Sequence, residues 1–190
     1  YQASKFIAEP LHIYDYCMIN DGGVALIITS ADRAKDMKKS PAYIRGFSQS
    51  SKLNDSTFPP DDLWYSAIQK TATDVYEMAG VKREDLDALM IYDNFSPTVL
   101  FSLEGFGFCK QGEGGDWIQN GRLELGGQFP TNTSGGHLSE SYMQGWGLNV
   151  EAVRQIRGEC NQRQIKDAKL IQYMCAAPLM TSIIYGKDAV

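Results

Sequence analysis

Three short segments of this 190-residue chain carry side chains that can move a proton or hold a ligand. The first is Tyr92-Asp93-Asn94-Phe95-Ser96, which follows an apolar run and precedes a helix-forming stretch. Polar residues at the end of a strand, leading into a helix, are where α/β folds place active sites. Asp93, Asn94 and Ser96 are equally the residue types that cap a following helix. The second segment runs Asn132-Thr133-Ser134-Gly135-Gly136-His137-Leu138-Ser139-Glu140-Ser141-Tyr142. Paired glycines ahead of a helix let backbone N–H groups approach a phosphate or an oxyanion. Gly135, Gly136 and His137 are therefore candidates for holding a ligand, and a glycine turn feeding a helix is the plain alternative. The third is Tyr173-Met174-Cys175-Ala176-Ala177-Pro178. A cysteine at a strand end becomes a base or nucleophile when its pKa is lowered; otherwise it packs as a small hydrophobe.

The elements that must position these segments follow from periodicity. Gly22 to Ser30, GGVALIITS, is a short apolar run behind two glycines and predicts a buried strand. Ala31 to Met37 predicts a short helix, Pro41 to Phe47 a strand, and Ser48 to Pro60 a loop. Asp61 to Ala79 is the clearest helix, with Leu63, Ala67, Ile68, Ala72, Val75 and Met78 on one stripe and Gly80 as its stop. A turn at Lys82 to Leu86 leads to a fully apolar strand at Ala88 to Tyr92. Thr98 to Phe106 predicts a helix, and Gly105 to Gly127 a glycine-rich acidic loop with a helical piece around Trp117. Leu138 to Gly158 predicts a second long helix, with Leu138, Tyr142, Trp146, Val150, Val153 and Ile156 on one face. Ala168 to Cys175 and Thr181 to Tyr185 complete the pattern as strands. Strands alternating with helices and finishing in a strand pair predict a single α/β domain over residues 1–190 with a mixed sheet.

Composition narrows the function classes. With 43% hydrophobic and 22% charged residues the chain can build a sizeable core. A net charge of −5 and a pI near 5.0, with no Lys/Arg run, speak against a nucleic-acid surface. No apolar stretch approaches the ~20 residues of a membrane span. Tyr1 to Pro10 has neither the basic flank nor the apolar core of a secretory leader. Cys17, Cys109, Cys160 and Cys175 form no CxxC pair, and His12 and His137 are too scattered to suggest a metal site. Free thiols in a reducing cytoplasm are the expectation.

The order and spacing of the three segments resemble the C-terminal half of the thiolase superfamily, along nearly the whole chain. The opening contributes Ile7-Ala8-Glu9-Pro10-Leu11, Tyr14-Asp15-Tyr16-Cys17 and Asn20-Asp21-Gly22-Gly23-Val24-Ala25. Gly105-Phe106-Gly107-Phe108-Cys109 with Gly112-Glu113-Gly114, Asn132-Thr133-Ser134-Gly135-Gly136, and Glu151-Ala152-Val153-Arg154-Gln155-Ile156-Arg157-Gly158 are similar to the sterol-carrier and lipid-transfer branch. The resemblance implies a half-domain with a five-stranded mixed sheet and helices on its faces. It also implies an acyl-CoA substrate, no separate cofactor beyond that coenzyme A, and an N-terminal half that carries the nucleophilic cysteine.

Two family positions are changed. The thiolase Asn of the Asn-Glu-Ala-Phe segment falls on Tyr92, and the His six residues beyond the glycine pair falls on Tyr142, with His137 out of register. Cys175 matches the second thiolase cysteine but is followed by Ala176-Ala177. A phenol does not replace an imidazole in Claisen chemistry, which needs an activated nucleophile and a held oxyanion. The tyrosine pair is similar instead to the lipid-transfer-protein aldolases of steroid side-chain breakdown. That resemblance implies retro-aldol cleavage of a bulky, sterol-like β-hydroxyacyl-CoA, with Tyr92 and Tyr142 as acid and base, Asp93 as an orienting group and Cys175 beside them. A thiolase-like acyltransferase and a non-catalytic binding subunit are the alternatives. The family further implies a homodimer and a small OB-fold, acyl-CoA-associated partner protein.

Overall fold

The computed structural model describes residues 1–52, 58–62 and 64–189. A short hairpin, β1 (Phe6–Ala8) and β2 (Leu11–His12), opens the chain, and a short helix α1 (Ala31–Ala34) follows. The main sheet is built from β3 (Tyr43–Ser51), β4 (Ala88–Ile91), β5 (Leu170–Cys175) and β6 (Leu179–Gly186) in the spatial order β3-β6-β5-β4. The β3/β6 and β6/β5 pairs are antiparallel and β5/β4 is parallel, so the sheet is mixed. Helices α2 (Tyr65–Ala79) and α3 (Ser96–Gly105) cover one face, and α6 (Trp146–Arg157) covers the other; α4 (Gly114–Trp117) and α5 (Gly136–Ser139) are single turns.

Side chains alternate across the sheet with period two. Leu89, Ile91, Met174, Met180 and Ile184 point toward α2 and α3, where Ile68, Ala72, Val75, Leu103 and Phe106 meet them. Ala88, Met90, Ile171, Tyr173, Cys175 and Tyr185 point toward α6 and meet Leu148, Ala152 and Ile156. Each large aliphatic side chain buried this way stabilises the fold by about 1.5–3 kcal/mol.

Beyond β4 the sheet continues for one rung that periodicity does not announce. Thr131 bridges to Leu89 in parallel register, and Leu89 bonds to Pro130 O and Asn132 N at 3.0 Å each. Asn132 then turns away at φ +47, and its side-chain amide continues the ladder by bonding Ile91 N at 2.7 Å and Ile91 O at 2.8 Å. Among the described residues the sheet has four strands rather than the expected five: a side chain closes the β4 edge, and the remaining expected strand, Gly22 to Ser30, does not join the sheet.

Gly22 to Ser30 is not a strand. Among the described residues no segment of this chain pairs with it, and it lies open with Ile27 91% exposed. Apolar composition cannot make a strand without a neighbour to share its ladder. The first long helix starts at Tyr65 rather than Asp61; Asp62 stays outside and accepts the N–H groups of Trp64 and Ser66. Its stripe holds at Ala67, Ile68, Ala72 and Val75, but Met78 is exposed and Ala79 is buried in its place. Leu63 and positions 53–57 of the expected loop lie outside the described residues. The second long helix is split: Gln144 (φ +51) and Gly145 (φ +85) break it between α5 and α6, leaving Trp146 exposed and Tyr142 in the connecting loop.

Candidate active site

The expected site residues gather at the C-terminal end of β4. Tyr92 follows the last rung of that strand, its N–H donating to Met174 O at 2.9 Å, so its side chain falls on the α6 face beside Cys175. The break between α5 and α6 carries Tyr142 back over the same point. The two phenol hydroxyls share a hydrogen bond of 2.7 Å, with ring centroids 6.3 Å apart. Burial first, and then the bond to Tyr142, push the Tyr92 phenol well above the ordinary tyrosine value. It is thus held as a neutral O–H, a proton donor.

Asp93 does not cap the helix that follows it, α3. The residue ahead of α3 is Phe95, which has no side-chain cap bond, while Ser96 Oγ donates to Asp15 Oδ1 at 2.6 Å. Asp93 turns inward and is 3% exposed. Its Oδ1 accepts the His137 backbone N–H at 2.8 Å and lies 2.9 Å from His137 Nδ1. The other ring nitrogen, Nε2, accepts the Gly145 N–H at 2.8 Å. The imidazole packs on both phenols, 4.7 Å from the Tyr92 ring and 5.2 Å from the Tyr142 ring.

Gly135 and Gly136 form the turn ahead of His137, with φ of +111 and +64. Gly136 is required by space as well as by conformation: a Cβ there would lie 2.2 Å from Asp93 Oδ2. The His137 N–H, which this turn could have offered to an anion, is taken by Asp93. Cys175 is buried at the end of β5, with Sγ 3.7 Å from Leu179 O, and burial pushes its thiol up to about 12. That environment keeps it a thiol rather than a thiolate.

Tyr142 lines an open cleft of about 610 Å³, bordered by Val24, Leu26, Ile28, Met143 and Trp146. Asn20, also on that border, accepts the Tyr142 N–H on Oδ1 at 2.7 Å. Sequence reading assigned Asn20 no role at the site, because 122 residues separate the pair and neither residue type announces the contact. A second cleft of about 410 Å³ lies beside it, lined by Ser134, Glu140, Glu151 and Arg154 among others. Glu151 anchors the glycine turn: it accepts Thr133 Oγ1 at 2.8 Å and Arg163 Nη2 at 3.1 Å. Among the described residues no group of three or more His, Cys, Asp or Glu is placed to hold a metal ion. No helix among them is long and apolar enough to cross a membrane.

Known proteins resemble this chain in sequence and fold. A family profile described as thiolase C-terminal domain-like matches residues 50–181. The chain is 40% identical over 162 residues to a steroid side-chain-cleaving aldolase of Thermomonospora curvata, covering 83% of this chain and 41% of that protein. It is 37% identical over 162 residues to a 17-hydroxy-3-oxo-4-pregnene-20-carboxyl-CoA lyase of Mycobacterium tuberculosis, covering 83% of this chain and 42% of that protein. Among solved structures, an Ltp2-ChsH2(DUF35) aldolase superposes with a TM-score of 0.91 at 35% identity, over 100% of this chain and 51% of its own. The chain thus spans about half or less of the length of these relatives.

Proposed function

The chain belongs to the thiolase C-terminal domain-like family, and on that premise we propose that it carries the acid–base centre of an acyl-CoA carbon–carbon lyase. The reaction is retro-aldol cleavage of a bulky, sterol-like β-hydroxyacyl-CoA. A base takes the β-hydroxyl proton, the bond between the α and β carbons breaks, and its electrons pass to the thioester as an enolate. An acid then protonates the α carbon, leaving a ketone and a shorter acyl-CoA. No covalent acyl-enzyme is needed, so the buried thiol of Cys175 has no nucleophilic step to perform and serves beside the tyrosines as a neutral contact.

The observation that carries this reading is the 2.7 Å bond between Tyr92 and Tyr142. Tyr92, held protonated, shares that bond; Tyr142, which lines the cleft, is the member that meets the β-hydroxyl. Asp93 orients the site through His137. The Gly135–Gly136 turn, its His137 N–H taken by Asp93, sets the imidazole behind the two phenols rather than offering an anion site. The names of the relatives support the acyl-CoA lyase class and the steroid character of the acyl group. The solved neighbour, named for two components, supports a partner subunit; a small OB-fold, acyl-CoA-associated protein in that place, the N-terminal half and a homodimeric assembly belong to the same proposal. A cytoplasmic setting accords with four free cysteines.

The test uses the full-length protein and measures ketone release from a β-hydroxyacyl-CoA without added coenzyme A. Tyr92→Phe and Tyr142→Phe keep the ring volume and should lower turnover by roughly 10² to 10⁴, the ordinary worth of a general acid or base. Near-normal turnover in both variants would end this mechanism. A strict requirement for free coenzyme A would mark an acyltransferase instead.

A further inference from the structure

Asp93 and His137 form a buried pair that reaches neither cleft, yet it touches both tyrosines. We infer that His137 is a positioning residue: a neutral imidazole, protonated on Nδ1, that latches the Tyr142 loop to the end of β4 and so fixes the distance between the two phenols. The inference rests on the acid–base role proposed for those phenols.

The hydrogen bonds determine the tautomer. Nε2 receives the Gly145 N–H at 2.8 Å, and an atom that receives a hydrogen must present a lone pair. The ring's proton then sits on Nδ1, pointing at Asp93 Oδ1 2.9 Å away. The same Oδ1 takes the His137 backbone N–H at 2.8 Å, so backbone and ring are oriented by one oxygen. With His137 1% exposed and both ring nitrogens engaged, no lone pair is left to act on a substrate.

The latch joins the two segments that matter. Asp93 is the residue after Tyr92, and Gly145 lies three residues beyond Tyr142. Gly145 is itself immobilised. A Cβ there would lie 2.3 Å from the Tyr173 hydroxyl, its φ is +85, and its carbonyl accepts Asn149 Nδ2 at 2.7 Å on α6. Asn149 in turn accepts the Tyr185 hydroxyl at 2.8 Å from β6. The imidazole thus closes a loop of contacts running from β4 through Asp93, His137, Gly145 and α6 back to the sheet. Its ring wedges against both tyrosines at 4.7 and 5.2 Å. A displacement of about 1 Å between reacting groups can cost on the order of 10² in rate, so the latch acts on turnover without touching substrate.

Two substitutions separate the two ring bonds. His137→Asn can place an N–H near the Nδ1 position and keep Asp93, but it cannot reach Gly145. His137→Gln can place an oxygen near the Nε2 position and keep the Gly145 N–H, but it gives up Asp93. In the full-length protein, His137→Asn should lower kcat for ketone release about 10- to 100-fold with KM little changed, and His137→Gln should recover most of that loss. The latch is also read without activity. Nitrogen-15 shifts of ring-labelled histidine should show Nδ1 protonated and Nε2 bare, and the Gly145 amide should lose exchange protection in His137→Asn and keep it in His137→Gln. Equal loss in both variants, a proton on Nε2, or unchanged Gly145 exchange in His137→Asn would overturn the assignment. If wild-type protein releases no ketone, the lyase reading fails alone, and the tautomer and the Gly145 exchange still decide the latch.

Discussion

Tyr76, buried, and Tyr92, half-buried, are phenols on opposite faces of one sheet, and they differ in what their hydroxyls meet. Burial is the first cause in both cases, and both are pushed well above the ordinary tyrosine value. Tyr76 donates to Gln172 Oε1 at 2.8 Å; Gln172 donates to Ser182 Oγ at 3.0 Å, and Ser182 donates to Tyr173 O at 2.8 Å. That chain starts and ends inside the protein, where Gln172 and Ser182 have no exposed surface. Tyr92 instead meets a second phenol, and that phenol lines a cleft. Burial raises a tyrosine anywhere in a core. Only a partner with access to the outside turns such a residue into a usable acid, and so a perturbed group marks a site only together with its route to solvent.

The sharpest way to break this comparison is to remove each hydroxyl in turn. Tyr92→Phe should lose turnover by the roughly 10² to 10⁴ expected of an acid–base group, while Tyr76→Phe should leave turnover unchanged. Tyr76→Phe should instead lower stability by about 1–3 kcal/mol, because Gln172 Oε1 is left buried without its donor. Urea unfolding of the two variants, set beside their kcat values, checks both halves. A turnover loss in Tyr76→Phe would mean that the two faces are coupled.

The two faces should also differ in their response to acid. On the α6 side, burial alone would raise the Glu151 carboxyl, but hydrogen bonds from Arg163 and Thr133 more than offset it and leave it below the ordinary glutamate value. A carboxylate depressed in the folded state adds stability above its unfolded pKa of about 4.3 and loses that contribution as pH falls through the folded value. Glu151→Gln should therefore cost stability at neutral pH, by about 1–3 kcal/mol for the lost charged hydrogen bonds, and the gap to wild type should narrow below about pH 4. Melting temperatures across that range decide it; a constant gap would show that charge is not what holds the glycine turn. The smallest effect belongs to the outer side of α2, where Lys70 and Asp74 pair at 2.7 Å in solvent. Lys70→Ala should change stability by no more than about 0.5 kcal/mol, and a larger change in the same melts would contradict the picture of α2 as held by its apolar stripe.

The same contrast explains what could be read from the sequence. The α2 face was legible because aliphatic side chains repeat at helical and strand periods: Ala67, Ile68, Ala72 and Val75 against Leu89 and Ile91. Tyr92, Tyr142 and Cys175 were legible as a set through family spacing, and the fold brings them to one face of the sheet. Three features were not. Gly22 to Ser30 has a strand's composition, but whether a segment is paired depends on a neighbour that periodicity does not name. The break at Gln144–Gly145 was masked by an apolar period running from Leu138 through Ile156, although that break is what swings Tyr142 toward Tyr92. Asp93 was weighed as a helix cap because capping is local, whereas its real partner, His137, is 44 residues away. Local chemistry was readable and long-range hydrogen bonding was not, and the site depends on the second.

The Asn132 side chain gives the sheet a property that a complete fifth strand would not. A backbone rung cannot be removed without rebuilding a strand, but the two bonds on Ile91 come from one amide group. That last rung can be withdrawn by a single substitution while Thr131 and Leu89 stay bridged. The Ile91 amide is consequently a built-in reporter: its hydrogen-exchange rate gauges how firmly the glycine turn is fastened to the strand that carries Tyr92, independently of whether the remainder of the sheet is intact.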